Sequence, residues 1–280
     1  MSGKGRKVFK FVFGAAAAWA VAVKPRLLHK ADLTVFRRYD YSHRGLHDAG
    51  LSAPENSLKA FERSAVKGYG ITADVRITRD GVPVVFADTE LYRMCGTEGE
   101  IESLTLQEVK DLTLAGTDQK IPTLKEMLKN VDCRVPILLN LHVKKGNYAR
   151  LCEAVTRNID VYDGLFAIES IDPRVLFWFR RQRDEYIRVQ MVDYAHRVNS
   201  SRVSSKVSRV WDFLCSSLLF NVFAAPDAIS ENMDNHYAPG TLLCRFLYHV
   251  PVIDWTIRNE NDYELVRTDG SIVVFDGFEP

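Results

Sequence analysis

Neither sign of charge prevails in this chain. Thirty-seven lysines and arginines face 36 aspartates and glutamates, a formal net charge of +1. That gives no support to a nucleic-acid binder, which usually carries a basic excess on one face. Cysteine is sparse as well: Cys95, Cys133, Cys152, Cys215 and Cys244 are scattered, with no Cys-x-x-Cys pair. Buried or free thiols are therefore expected, rather than a zinc site or a disulfide framework. No internal repeat or low-complexity tract appears. What remains is ordinary globular material, 46% apolar and 26% charged over 280 residues. That length suits one domain with a large core, and α/β barrels reach it undivided.

A long apolar run is also missing. The stretch from Phe11 to Val23 is framed by Lys4, Arg6, Lys7 and Lys10 on one side and Lys24, Pro25 and Arg26 on the other. As a helix it spans about 20 Å, short of a hydrocarbon core of about 30 Å. Adding Val8 and Phe9, with Lys10 snorkelling, brings it closer. Two readings stay open: a membrane anchor, or a signal peptide with cleavage sites near Ala18 and Ala20. The anchor is the expectation carried forward, over residues 1–30. Basic residues on both sides leave its orientation undecided.

From residue 40 onward, short β-like runs alternate with helical segments, the pattern of βα units around a parallel sheet. Strands are expected to start near residues 40, 71, 135, 166, 187, 228, 252 and 272. The run 71–77 and the run 82–86 are joined by Thr78-Arg79-Asp80-Gly81 as a tight turn. Counted as one element, that hairpin makes eight, which suits a (β/α)8 barrel of class α/β over residues 38–280. Helices are predicted from Ser57 to Val66 with Gly68 as a stop, and at Thr105–Leu112 and Thr123–Leu128 behind threonine caps. A further helix starts at Pro173, with proline in its first position. Trp211 to Phe223 reads as an inserted apolar helix, with Asp212, Ser216 and Asn221 facing away from the apolar stripe. It either packs on the barrel or dips into a membrane or over a substrate.

The motifs of interest cluster at the ends of these strands. Ser42-His43-Arg44-Gly45 is followed by Pro54-Glu55-Asn56-Ser57. Then come Thr72-Ala73-Asp74, Val84-Val85-Phe86-Ala87-Asp88 and Ile121-Pro122-Thr123-Leu124. A histidine can move protons. An arginine can grip a phosphate through two hydrogen bonds, and a glycine lets backbone approach a ligand closely. Strand alternation points Thr72 and Asp74 to the same, inward side.

Read together, these motifs resemble the glycerophosphodiester phosphodiesterase family over about residues 40–280. The resemblance implies hydrolysis of glycerophosphodiesters with a divalent cation, magnesium or calcium, held by carboxylates, and two histidines for proton transfer. It implies catalytic roles for His43 and Arg44, a metal ligand at Asp74, and substrate contacts at Glu55 and Trp255. It also exposes gaps. The family's second histidine falls on Ala87, and the glutamate of its Glu-x-Asp metal pair falls on Thr72. The glutamate of its Glu-x-Lys motif falls on Asn140, or two places later on His142. Neither alignment restores a carboxylate. His142 is then either a buried histidine bonded to a neighbouring strand or a repurposed ligand beside Asp74. Ile168-Glu169-Ser170, Trp255-Thr256-Ile257 and Phe275-Asp276 to Pro280 continue the resemblance to the end of the chain. Weak or absent cation binding follows, because a neutral hydroxyl or amide is a poor ligand for a hard dication. Two functions are open: a weak phosphodiesterase, or a membrane-anchored pseudoenzyme that binds phosphoglycerol or phospholipid headgroups without cleaving them.

Overall fold

Among the described residues nine strands make a single sheet, and the first of them in chain order pairs with the second as well as with the last. That extra pairing closes the sheet into a barrel. The computed structural model describes residues 13–14, 16–28, 30–48, 52–144, 146–193, 217–235 and 238–280. Eight strands run parallel around the barrel. They are β1 (Tyr41–Ser42), β2 (Gly70–Ile77), β4 (Ile137–Leu141), β5 (Phe166–Ser170), β6 (Arg188–Val192), β7 (Ala228–Asn232), β8 (Val252–Ile257) and β9 (Ile272–Phe275). The ninth, β3 (Pro83–Val85), pairs antiparallel with β2 and stands outside the closed ring. This is the (β/α)8 barrel, with the hairpin where a helix would normally intervene.

Alternation along the strands sorts the core into two shells. Ile71, Ala73, Val75, Ile137, Leu139 and Ile168 point outward, against Phe61, Leu124, Met127, Leu151, Val155 and Phe179 of the surrounding helices. Leu138, Ala167, Val189, Ala228, Ile253, Ile272 and Val274 fill the interior, with Leu33 and Phe36 packed into the same cluster. Above that apolar filling, register sets Asp74 opposite Asn140, and Asn140 opposite Glu169, on three adjacent strands. A polar layer therefore sits on an apolar plug, facing the C-terminal mouth.

The helix caps are where the sequence places them. Ser57 accepts from the Ala60 amide, and Gly68 ends the helix Leu58–Lys67 at φ 76°. Thr105 and Thr123 each form a reciprocal capping box, with Glu108 and Glu126. Pro173 opens its helix behind Asp172, whose side chain accepts from the Arg174 amide.

One segment differs from expectation. A continuous helix over Trp211–Phe223 is not what the described part shows; residues 211–216 lie outside the described residues. Residues 217–220 form turns, Leu218 has a left-handed φ of 58°, and a short helix covers Asn221–Ala224. Asn221, expected to face away from the apolar stripe, is buried, and its Nδ2 donates to the Val23 carbonyl at 3.2 Å. A left-handed residue cannot continue an α-helix, so the apolar spacing is shared between a turn and a helix.

The end of the apolar N-terminal stretch meets the barrel. Trp19 and Val23 pack with Val192, Leu218, Ile229, Cys244 and Val250. Arg26 then pairs with Asp184 at 2.6 Å and with Asp227 at 3.3 Å. Among the described residues no helix is long and apolar enough to cross a membrane; residues 1–12 lie outside them.

Candidate active site

The mouth of the barrel is organised around one carboxylate. Asp74, 5% exposed, faces inward from β2. Its Oδ1 accepts from Asn140 Nδ2 at 3.1 Å and lies 2.7 Å from His142 Nε2. Its Oδ2 accepts from Asn56 Nδ2 at 3.1 Å and lies 2.8 Å from Arg44 Nε. Burial alone would raise the Asp74 pKa. The Arg44 charge, the His142 hydrogen bond and the charges of His142 and His43 outweigh it and hold the carboxyl well below the usual carboxylate range.

Local backbone geometry delivers these partners. Arg44 has φ 58° and Asn56 has φ 57°, left-handed values that cost a non-glycine residue about 1–2 kcal/mol. Both are held in place: the Arg44 amide donates to Thr72 Oγ1 at 2.9 Å, and the Asn56 amide to the Arg44 carbonyl at 2.9 Å. Thr72 thus anchors the Arg44 loop. Gly45 follows at φ 82°, and a Cβ there would meet the Ala60 backbone at 2.9 Å.

From Asp74 outward the charges alternate. Arg44 Nη1 donates to Glu55 Oε1 at 2.7 Å. Glu55 in turn receives a fork from Arg93, at 2.6 and 2.9 Å, and Arg93 Nε reaches Asp88 at 2.5 Å. Glu55, read as a substrate contact, is thus engaged by two arginines. Ala87 directly precedes Asp88. The Phe86 amide donates to the Asp74 carbonyl at 2.8 Å, so the returning arm of the hairpin runs beside the site. The Ala87 carbonyl accepts from Arg76 Nε at 2.9 Å. Trp255, on β8 across the barrel, is half-buried, and its buried indole N–H has no acceptor among the described residues.

Three further residues were missing from the expected site. Glu169, 2% exposed, lies next to Asn140 in the polar layer. Burial lifts its carboxyl to about 7, with Ser230 opposing and the Asp74 charge adding. His47 and Asp276 flank His43: Asp276 lies 3.4 Å from His43 Nδ1 and 3.1 Å from His47 Nε2. The signal for His47 was its place in the His43 loop, and for Asp276 the closing motif. His142 follows the first alternative, bonded to the neighbouring strand through Asp74 at 2.7 Å, although it is half-buried rather than buried.

The donor set around Asp74 does not fit a magnesium or calcium ion. Such ions take several oxygens, with carboxylates to balance charge. Here both Asp74 oxygens are already met by nitrogens. Thr72 and Asn140, at the positions of the expected carboxylates, are neutral, and Thr72 holds a backbone amide.

The fold, the mouth and its motifs define a phosphodiesterase-type barrel. The glycerophosphoryl diester phosphodiesterase family profile matches residues 43–274, and the chain belongs to that family. Among curated relatives, the glycerophosphodiester phosphodiesterase 1 of Bos taurus is 35% identical over 164 residues, 54% of this chain and 47% of that protein. The glycerophosphodiester phosphodiesterase of Caldanaerobacter subterraneus is 34% identical over 113 residues, 38% of this chain and 44% of that protein. The matches thus span less than half the length of these relatives. Among solved structures, an Oleispira antarctica phosphodiesterase in complex with its product sn-glycerol-3-phosphate superposes with TM-score 0.67 at 20% identity. It covers 85% of this chain and 92% of that one. A Thermotoga maritima glycerophosphodiester phosphodiesterase gives TM-score 0.59 at 21% identity, covering 85% and 94%. These two likenesses speak to the fold.

Proposed function

We propose that this protein is a glycerophosphodiester phosphodiesterase family member that recognises the phosphoglycerol part of such diesters and cleaves it poorly or not at all. The observation that carries this reading is the saturation of Asp74. Asn56, Asn140, His142 and Arg44 fill the positions around its two oxygens, and no second carboxylate stands at Thr72 or Asn140. Loss of one proton-transfer group, here the histidine replaced by Ala87, typically costs about 100- to 10,000-fold in rate. Recognition rests on other groups. By the resemblance, His43, Arg44 and Trp255 would face the ligand. The related Oleispira antarctica barrel holds sn-glycerol-3-phosphate.

Ligand-observed NMR tests both halves of this reading in one tube. A glycerophosphodiester mixed with the protein and magnesium or calcium is expected to show binding, through line broadening, while its signals persist for hours. Rapid appearance of glycerol-3-phosphate signals, abolished by His43→Ala, would show a working site and overturn the reading. So would the absence of any broadening.

A further inference from the structure

We propose that His43, His47 and Asp276 form a binding site for a zinc-class transition-metal ion, displaced from the Asp74 position. Each side chain offers one ligand atom, and these atoms lie within 4.8 Å of one another. A four-coordinate ion with bonds of about 2.1 Å sets its ligands about 3.4 Å apart. Asp276 reaches that scale through its two oxygens, Oδ2 lying 3.4 Å from His43 Nδ1 and Oδ1 3.1 Å from His47 Nε2.

Three segments bring the ligands together, and backbone hydrogen bonds fix each of them. The His43 amide donates to the Phe275 carbonyl at 2.9 Å, joining the end of β1 to the end of β9. The Asp276 amide donates to the Ile257 carbonyl at 2.9 Å, tying it to β8. The His47 amide donates to the Gly45 carbonyl at 2.9 Å, within the turn that Gly45 permits.

The charge pattern separates this site from its surroundings. His47 and Asp276 line a cleft of about 920 Å³, together with Asp48, Glu62, Arg63, Lys67 and Glu279. Asp48 pairs with Arg63, Glu62 with Arg134, and Glu279 with Lys67. Asp276 pairs with two imidazoles and, among the described residues, with no lysine or arginine. A permanent cation blocks a carboxylate from a metal. An imidazole does not, since it can shed a proton and become a ligand beside it. Asp74 is the contrasting case, held by Arg44. Two imidazoles and one carboxylate match zinc and its first-row neighbours, whereas magnesium and calcium prefer all-oxygen sets. The cleft leaves one side of the ion open to water or an anion. The inference does not depend on whether the barrel cleaves diesters.

The test is equilibrium dialysis of the full chain against Zn2+, with metal content read per chain, alongside Co2+ substitution followed by visible absorption. Wild type is expected to hold one zinc. The Co2+ form should show d–d bands without thiolate charge transfer, which sets aside exposed Cys133. His47→Ala and Asp276→Asn are expected to weaken binding at least tenfold, and Asp74→Asn to leave it within about twofold. His47 is partly exposed, so His47→Ala retains the fold, checked by circular dichroism. Wild type without stoichiometric zinc, zinc unaffected by His47→Ala, or a cobalt thiolate band would each overturn the proposal.

Discussion

Asp74 and Glu169 stand on nearby strands of one polar layer, yet their carboxyls are driven in opposite directions. Arg44 and His142 hold Asp74 ionised against its burial, while Glu169, with no cation beside it among the described residues, is lifted by burial to about 7. The consequence for stability has a definite sign. Between the ordinary value of 4.5 and about 7, folded Glu169 keeps a proton that the unfolded chain has released. Its contribution is full below pH 4.5, falls as pH rises through that window, and levels off above 7. At 1.36 kcal/mol per unit the loss is at most about 3 kcal/mol. Glu169→Gln removes it. Urea unfolding is expected to show the variant more stable than wild type by about 1–3 kcal/mol at pH 8, with the gap closing towards pH 4.5. A gap of constant size across that range would mean that Glu169 is not the titrating group.

Elements are set by local rules that the sequence displays openly. Thr123 caps the helix Leu124–Val131, and Glu126 returns the hydrogen bond to the Thr123 amide. The helix buries Leu124, Met127, Leu128 and Val131 against the sheet. Thr123→Ala is expected to cost about 1 kcal/mol, seen as a lower urea midpoint with unchanged slope. An unchanged midpoint would mean that side-chain packing alone fixes this helix end. The strand starts were legible for a related reason. Runs such as Ile137–Leu141, buried on both faces, read as continuous apolar stretches. Thr72, Asp74 and Asn140 were legible as inward-facing from parity alone. Leu218 was not, because apolar spacing does not reveal a left-handed backbone. Nor was the pairing of His47 with Asp276, whose positions are far apart in sequence and meet only when β1 and β9 pair.

At the scale of the whole molecule, the chain has the closed barrel of its family, with Asp74 ringed by nitrogen donors at its mouth. The resemblance implied missing carboxylates at Thr72 and Asn140 and a missing histidine at Ala87. It could not show what fills the gap, since Asn56, Arg44, His142 and Asn140 converge on Asp74 only in the closed barrel. Restoring Thr72→Glu, Ala87→His and Asn140→Glu together should recover hydrolysis, and single changes should do little, because such groups act as a unit. Asp74→Ala, by contrast, leaves the Arg44 charge facing Glu55 alone.

The central claim is that Asp74 is committed to protein donors and does not hold a hard dication. Calorimetric titration of Mg2+ into the wild type and the triple variant tests it most directly. The account predicts weak wild-type binding, unchanged by Asp74→Asn, and at least tenfold tighter binding by the triple variant. Tight wild-type Mg2+ binding that Asp74→Asn abolishes would contradict it.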